Sequence, residues 1–413
     1  MPEKKNPGIF YGYIVVGAGL MVSGLIIGTQ NTFGVFLKPL SFELGLTRAA
    51  TSAAFSISFL IFGLSSIVVG RLTDRFGPKI VITACGLLTG LGYILMSQVT
   101  SLWQLYIFLG ITIGAGMSAG DTPVLATVAR WFVKKRGMAI GISKAGVGIG
   151  MLIVPPLASW LILSYGWRVT YVIIGLICLA GIISAAMFMK RDPAQIGQFP
   201  DGAVKQVETK LDVETRLFSL RQAIGTKQFW LFAISWFIVS FCAMIVLVHS
   251  APRVTDIGIS ATVAATILGA IGGFSVVSRL VMGIISDRIG VKAVFIIGLV
   301  LLAASLTWVQ YAKEAWMFYL FAGVYGVAHG TLYTVFTPLL AQLFGLRSIG
   351  VIVGVFVFTG TLGGSIGPIL AGRIFDITNS YQLAFVLSLA LSIIALVLMC
   401  FLRLTGDEAV TSR

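Results

Sequence analysis

Residues 70–79 read GRLTDRFGPK, and residues 283–292, 213 positions later, read GIISDRIGVK. The same offset carries Gly141, Gly150 and Pro155 onto Gly354, Gly363 and Pro368. A chain that repeats itself at about half its length is built from two copies of one unit, and the content of that unit follows from what lies between the matches.

Between them the sequence is apolar. Hydrophobic residues make up 57% of the 413, charged residues 11%, and the mean hydropathy is +0.99. Twelve apolar runs, from 11–37 to 381–403, are each long enough as a helix to cross a hydrocarbon layer of roughly 30 Å. The first is too long for the core of a signal peptide and is expected to be retained. The longest hydrophilic stretch, Lys190 to Lys227, separates the sixth run from the seventh. The expected organisation is a bundle over 1–189, a loop over 190–227 and a second bundle over 228–413. The fold class that follows is an all-α membrane protein with twelve transmembrane helices in two pseudo-symmetric six-helix bundles. The 48 glycines suit helices whose backbones approach closely. The four cysteines are scattered through apolar runs and predict neither a disulfide nor a metal site.

A formal charge of +14 invites a nucleic-acid reading, which the distribution of the charge excludes. Of the 29 Lys and Arg, six fall in loops on one side: Lys38, Arg48, Arg168, Arg253, Lys313 and Arg373. Lys144 and Arg279 lie within apolar runs, and all the others share the side that holds both termini. This is the positive-inside pattern, and it places the termini in the cytoplasm.

The two GxxxDRxGxK loops and the glycine-rich fifth run ending in Pro155 and Pro156 resemble the major facilitator superfamily over essentially the whole chain. Three segments narrow the resemblance to its monocarboxylate porter and oxalate:formate antiporter branch: FYGYIVV (10–16), RWFVKKRGMAIGISKAG (130–146) and SVVSR (275–279). The resemblance implies a secondary transporter of small carboxylates in a cell membrane, with a bacterial inner membrane expected. It makes Arg279 the substrate-binding arginine, and Asp74, Arg75, Asp287 and Arg288 gating residues. The departures are as informative. Animal monocarboxylate carriers place an aspartate where this chain has Ser275, and a lysine where it has Asn31, a position expected on the substrate path. Oxalate exchangers add a lysine in the eleventh helix, and the run from Ser348 to Ala371 has none. Proton coupling here must therefore use other residues or be absent.

Three charged side chains stand inside the runs: Asp121, Lys144 and Arg279. Counted from the nearest loop at 1.5 Å per residue, all three lie roughly 15 to 18 Å deep, near the midplane. A charge at that depth needs a partner or a watery cavity. Asp121 either titrates during transport or pairs with Lys144, and the two roles are compatible. Arg279 matches Ser66 at the 213-residue offset, so it is no requirement of the repeat. Its planar fork suits a carboxylate, and Tyr333, Phe336, Phe356 and Phe358 are candidates for an apolar wall. His329 is a candidate for tuning pH dependence. Two cations and one carboxylate sum to +1, and a protonated Asp121 with a bound monocarboxylate gives +1 again. Loading proton and anion together therefore moves no net charge against the membrane potential, which points to electroneutral symport of a lactate- or pyruvate-type anion. The alternative is an exchanger of dicarboxylates or of oxalate against formate, with Lys144 and Arg279 as a clamp. No nucleophile and base arrangement suggests an enzyme, and no cofactor or metal is expected. The expected partners are a small carboxylate, a proton and the lipid bilayer, with the chain working as a monomer.

Overall fold

The computed structural model describes residues 10–132, 135–202, 218–345 and 349–402, and the regular structure within them is helical. One bundle contains α1 (Gly12–Glu43), α2 (Arg48–Phe76), α3 (Pro78–Met96) and α4 (Leu102–Trp131). It is completed by the stretch Arg136–Phe188, which breaks at Gly166, φ +79°, into α5 (136–165) and α6 (167–188). The other bundle contains α7 (Lys227–Asp256), α8 (Ala261–Ile289), α9 (Val291–Val309), α10 (Ala315–Phe344), α11 (Ile349–Thr378) and α12 (Gln382–Cys400).

Ten continuous helices among the described residues are long and apolar enough to cross a membrane. The break at Gly166 divides one of them in two. α10 is of similar length and less apolar, because Tyr325, His329, Thr331, Tyr333 and Thr334 interrupt it. These twelve rods are the twelve expected from the sequence. Both residue 10 and residue 402 lie at one end of the molecule, called here the termini end, and the opposite end is the far end.

The repeat seen in the sequence is also a repeat of geometry. Gly77 and Gly290 adopt φ +84° and +89°, a backbone conformation closed to most side chains. Each closes its helix with an N–H donated 3.0 Å to the carbonyl four residues back, Thr73 and Ser286 respectively. Deeper in the membrane, a Cβ on Gly150 would sit 2.1 Å from the carbonyl oxygen of Gly24. A Cβ on Gly363 would sit 2.3 Å from the carbonyl of Phe237, the residue 213 positions after Gly24. The α1–α5 contact thus recurs as α7–α11, and only glycine lets the paired backbones come so close.

Two details depart from the sequence reading. Of the six cations expected in loops, Lys38, Arg48, Arg168 and Arg373 fall in the end turns of α1, α2, α6 and α11, and Arg253 is inside α7, because that helix runs on through Pro252 to Asp256. Only 8% of it is exposed, and its Nη2 donates 2.7 Å to the carbonyl of Val309. α4, expected as one continuous rod, has a π-helical segment over Tyr106–Ile113 and a 3-10 turn over Met117–Gly120, and it breaks at Asp121, φ −122°, ψ −80°. A regular helix resumes at Thr122 with Pro123 in its first turn.

Candidate functional site

The bundles meet along the far half of the molecule. At the rim, Arg48 grips the Asp256 carboxylate with both terminal nitrogens, at 2.6 and 2.9 Å, and Lys38 adds an ion pair at 2.8 Å. Asp376 of α11 accepts from the backbone N–H groups of Arg48 and Ala49, each at 2.9 Å. Thr47 accepts from Ala50 N, so the first amides of α2, which have no partner within the helix, are capped jointly by its own bundle and the opposite one. Arg48 also donates 2.7 Å to the Tyr381 hydroxyl. Burial, above all, pushes that hydroxyl above its usual range, so it stays neutral and accepts. Two cations and two carboxylates make this closure neutral.

Toward the termini end the bundles part. Among the described residues, the hydrogen bonds and ion pairs joining the two bundles all lie at the far end, the deepest contact being Ser52 with His249. Gly137 and Gly141 of α5, and their repeat equivalents Gly350 and Gly354 of α11, face open space, since a Cβ on any of them would meet nothing within 4 Å. The molecule is therefore closed at the far end and open at the termini end.

Lys144 and Arg279 stand where α5 and α8 separate. Gly148 of α5 touches Gly272 and Val276 of α8, with a Cβ on Gly148 falling 3.0 Å from the Gly272 carbonyl. One turn nearer the termini end, on the same face of each helix, are Lys144, four residues before Gly148, and Arg279, three after Val276. Helical spacing thus puts the two cations on facing walls of the cleft. Lys144 is ion-paired with Asp121 across the α4–α5 interface. The break in α4 at Asp121 is what lets its carboxylate reach there. Arg279 touches neither of them. Its Nε donates 3.3 Å to Ser275 Oγ, and its terminal nitrogens make no hydrogen bond to any described residue. They are not among the atoms sealed from water either, so they point into the cleft.

The other expected residues fall in different places. Tyr333 is beside the site, its ring 4.6 Å from His329 and 5.1 Å from Trp236, within electrostatic reach of Arg279. Phe336 and Phe356 are turned into the aromatic core of the C-terminal bundle: Phe336 stacks on Trp236 at 3.9 Å, and Phe356 packs on Phe229 at 5.0 Å and Phe232 at 5.1 Å. Phe358 is 39% exposed, one turn beyond Gly354 on the same face of α11. Asn31 is buried where α1 is interrupted, its amide donating 2.8 Å to the carbonyl of Ile27 in its own helix. Asp74 pairs with Arg130 at 2.7 Å within one bundle, Arg75 lies over Phe76, and Asp287 and Arg288 are exposed. A cavity of about 660 Å³ lies elsewhere, between the far ends of α1, α5, α7 and α8, with Lys38 and Arg48 in its lining.

A family model described as Major Facilitator Superfamily matches residues 18–280 and again 250–412. The chain is 26% identical over 394 residues to monocarboxylate transporter 13 of Rattus norvegicus, covering 94% of this chain and 87% of that protein. It is 29% identical over 400 residues to the oxalate:formate antiporter of Oxalobacter formigenes, covering 94% and 90%. Among solved structures, a bacterial homologue of the human lysosomal transporter Spinster, in an inward-facing and occupied conformation, matches with a TM-score of 0.76 at 14% identity, over 96% of this chain and 97% of that one. That last likeness is one of fold.

Proposed function

The chain belongs to the major facilitator superfamily, a multi-pass membrane protein whose relatives are transporters of organic anions, and on that premise we propose that it carries small monocarboxylates by alternating access, in symport with a proton. The observation that carries this reading is Arg279. Its guanidinium is part-buried in the membrane-spanning region, its terminal nitrogens are unpaired, and Lys144 faces it across the cleft. A carboxylate held by two parallel N–H bonds compensates a charge that otherwise has no counter-ion.

In this reading the units 1–189 and 228–413 rock about the site, with 190–227 as the connecting loop, and one chain suffices. The termini end is the cytoplasmic end, on the positive-inside asymmetry, and the membrane is a bacterial inner membrane. Asp74, Arg75, Asp287 and Arg288 serve at the cytoplasmic gate. Asn31, Tyr333 and Phe358 belong to the substrate path, while Phe336 acts on it from behind, through Trp236. One protonatable group has to load with the anion. Asp121 serves if a proton there releases Lys144 toward the substrate.

Oxalate–formate exchange is the competing reading, favoured by the facing pair of cations. Labelled-lactate uptake into proteoliposomes separates the two. A symporter accumulates lactate when a pH gradient is imposed and loses accumulation with an uncoupler, whereas an exchanger needs only internal counter-anion. Arg279→Lys replaces a fork by a point charge and should raise the KM for lactate about 10- to 100-fold, the worth of one charge-assisted bond of about 1.5 to 3 kcal/mol. Unchanged lactate kinetics in that variant would remove Arg279 from the site.

A further inference from the structure

We propose that His329 is the group that holds the transported proton, and that the Ser275 hydroxyl couples it to the anion on Arg279. The proposal rests on the symport reading above and moves the proton from Asp121 to the opposite bundle.

Ser275 Oγ lies 3.3 Å from Arg279 Nε and 3.3 Å from His329 Nδ1. Ser275 is fully buried and His329 is 7% exposed. A guanidinium can only donate, so Ser275 Oγ accepts from Arg279, and its single hydrogen is left for His329 Nδ1. That fixes the empty state as a neutral imidazole with its proton on Nε2. When a proton binds at Nδ1, the direction of the second bond reverses. Ser275 Oγ then accepts from both neighbours, and its hydrogen turns to a new acceptor. A carboxylate seated on Arg279 becomes that acceptor when the guanidinium turns aside to receive it, since Ser275 is fully buried beneath it. In the empty state the Ser275 hydroxyl has His329 Nδ1 as acceptor, and in the doubly loaded state it has the carboxylate. A proton without the anion leaves the Ser275 hydrogen only a carbonyl of its own helix, the weaker back-bond of a buried serine.

Electrostatics act in the same direction. From α8, His329 faces Ser275 and Arg279, while Ser278 is held by the Val327 carbonyl and Thr331. On α10 itself its neighbours are Tyr325, with ring centroids 6.1 Å apart, and Tyr333. From α7 come Trp236, packed on Tyr333, and Cys242, which acts on Tyr325. α9 presents Gly298 to Thr331 and Leu332, and α11 has no ionisable side chain between 349 and 371. No carboxylate stands among these groups. An imidazolium here is a second cation beside a guanidinium, costly in a membrane interior until a bound anion offsets one of the two charges. By reciprocity, whatever the anion adds to proton affinity, the proton adds to anion affinity.

Asp121 is already held by Lys144, and a proton there strands that lysine until the anion arrives. The charge sum does not choose between them, since +1 is kept whichever group takes the proton. The relay is also confined to one half of the repeat. Arg279, Ser275 and His329 correspond at the 213-residue offset to Ser66, Phe62 and Gly116, none of which ionises.

Calorimetric titration of lactate into the purified full-length protein, between pH 5.5 and 8 in two buffers of different ionisation enthalpy, counts protons taken up per anion. The wild type should take up about one, with the apparent Kd rising tenfold per pH unit on the alkaline side. His329→Gln should bind lactate more weakly, with no proton uptake and no pH slope, and should exchange lactate without accumulating it under a pH gradient. Ser275→Ala should flatten the slope while His329 is still present. Asp121→Asn should weaken binding through Lys144 and keep the slope. A His329→Gln protein that binds lactate and still takes up a proton overturns the assignment, as does loss of the slope in Asp121→Asn alone. A wild type that binds no lactate overturns the monocarboxylate reading itself.

Discussion

Asp376→Ala tests whether the far-end closure is a latch that sets which way the transporter faces. The Asp376 carboxylate reaches from α11 to the first turn of α2 and accepts two backbone N–H bonds of 2.9 Å. When the far end opens, those amides exchange the carboxylate for water, so the bonds count only toward the closed state. At about 1.5 kcal/mol for each bond to a charged acceptor, less at a partly solvated rim, the loss is about 2 to 3 kcal/mol. That corresponds to a shift of about 30- to 150-fold in the closed-to-open ratio. A wild type that is open at the far end roughly 1% of the time becomes about a quarter to over half open. Thr47 still caps Ala50 N, so α2 starts where it did. Spin labels at Tyr165 and Tyr311, exposed far-end positions on opposite bundles, report the change by pulsed dipolar spectroscopy, with the native cysteines replaced. The variant should show a longer-distance population growing at the expense of the wild-type peak, and Asp376→Asn, which keeps one acceptor, about half the shift. An identical distance distribution in Asp376→Ala would refute the latch.

Four further single variants and one double variant probe the packing around the site. Asp121→Ala and Lys144→Ala each leave one charge unpaired, and with side chains 32% and 25% exposed the cost of either is about 2 kcal/mol, below the fully buried case. Each should lower the melting temperature in detergent by several degrees, and the double variant should recover most of the loss; purely additive losses would show that the pair contributes nothing. Gly150→Val drives a Cβ to within 2.1 Å of the Gly24 carbonyl, which is backbone and does not yield, so it should cost about 3 kcal/mol or more and deplete folded protein. Gly141→Ala meets nothing within 4 Å and should melt with the wild type, a contrast that fails if both behave alike.

The twelve rods and their twofold repetition were legible because a lipid solvent dictates helix length, and because Gly77 and Gly290 repeat a backbone requirement that only glycine meets. The Asp121–Lys144 pair was legible for a related reason: both residues are counted from the same turn, so equal numbers of residues mean equal depth. Other features were hidden by distance or by uniformity. Asp376 lies 328 residues from Arg48, and no local pattern distinguishes a latch from an ordinary helix-end acid. Arg253 lies just beyond the end of its apolar run, but α7 continues past that run through Pro252 to Asp256. The break in α4 did leave a trace, since Asp121-Thr122-Pro123 is a capping residue followed by a proline, a signal that a count of apolar residues overrides. Phe336 and Phe356 could not be assigned to core or cleft, because a helix apolar on every side carries no period to say which way it faces.

The two ends of the molecule differ in charge, and that difference carries the argument about coupling. The far-end closure is neutral, two cations against two carboxylates, so opening it exchanges partners for water without exposing net charge. The cleft is not neutral, because Lys144 spends its charge on Asp121 while Arg279 has only Ser275. An empty transporter that closed around that guanidinium would seal its terminal nitrogens without a hydrogen-bond partner, whereas one that closed around Arg279 with a carboxylate, and a proton beside it, seals the same +1 with those nitrogens paired. The unfavourable step is therefore closure without cargo, and the side chain that makes it unfavourable is the one that binds the cargo.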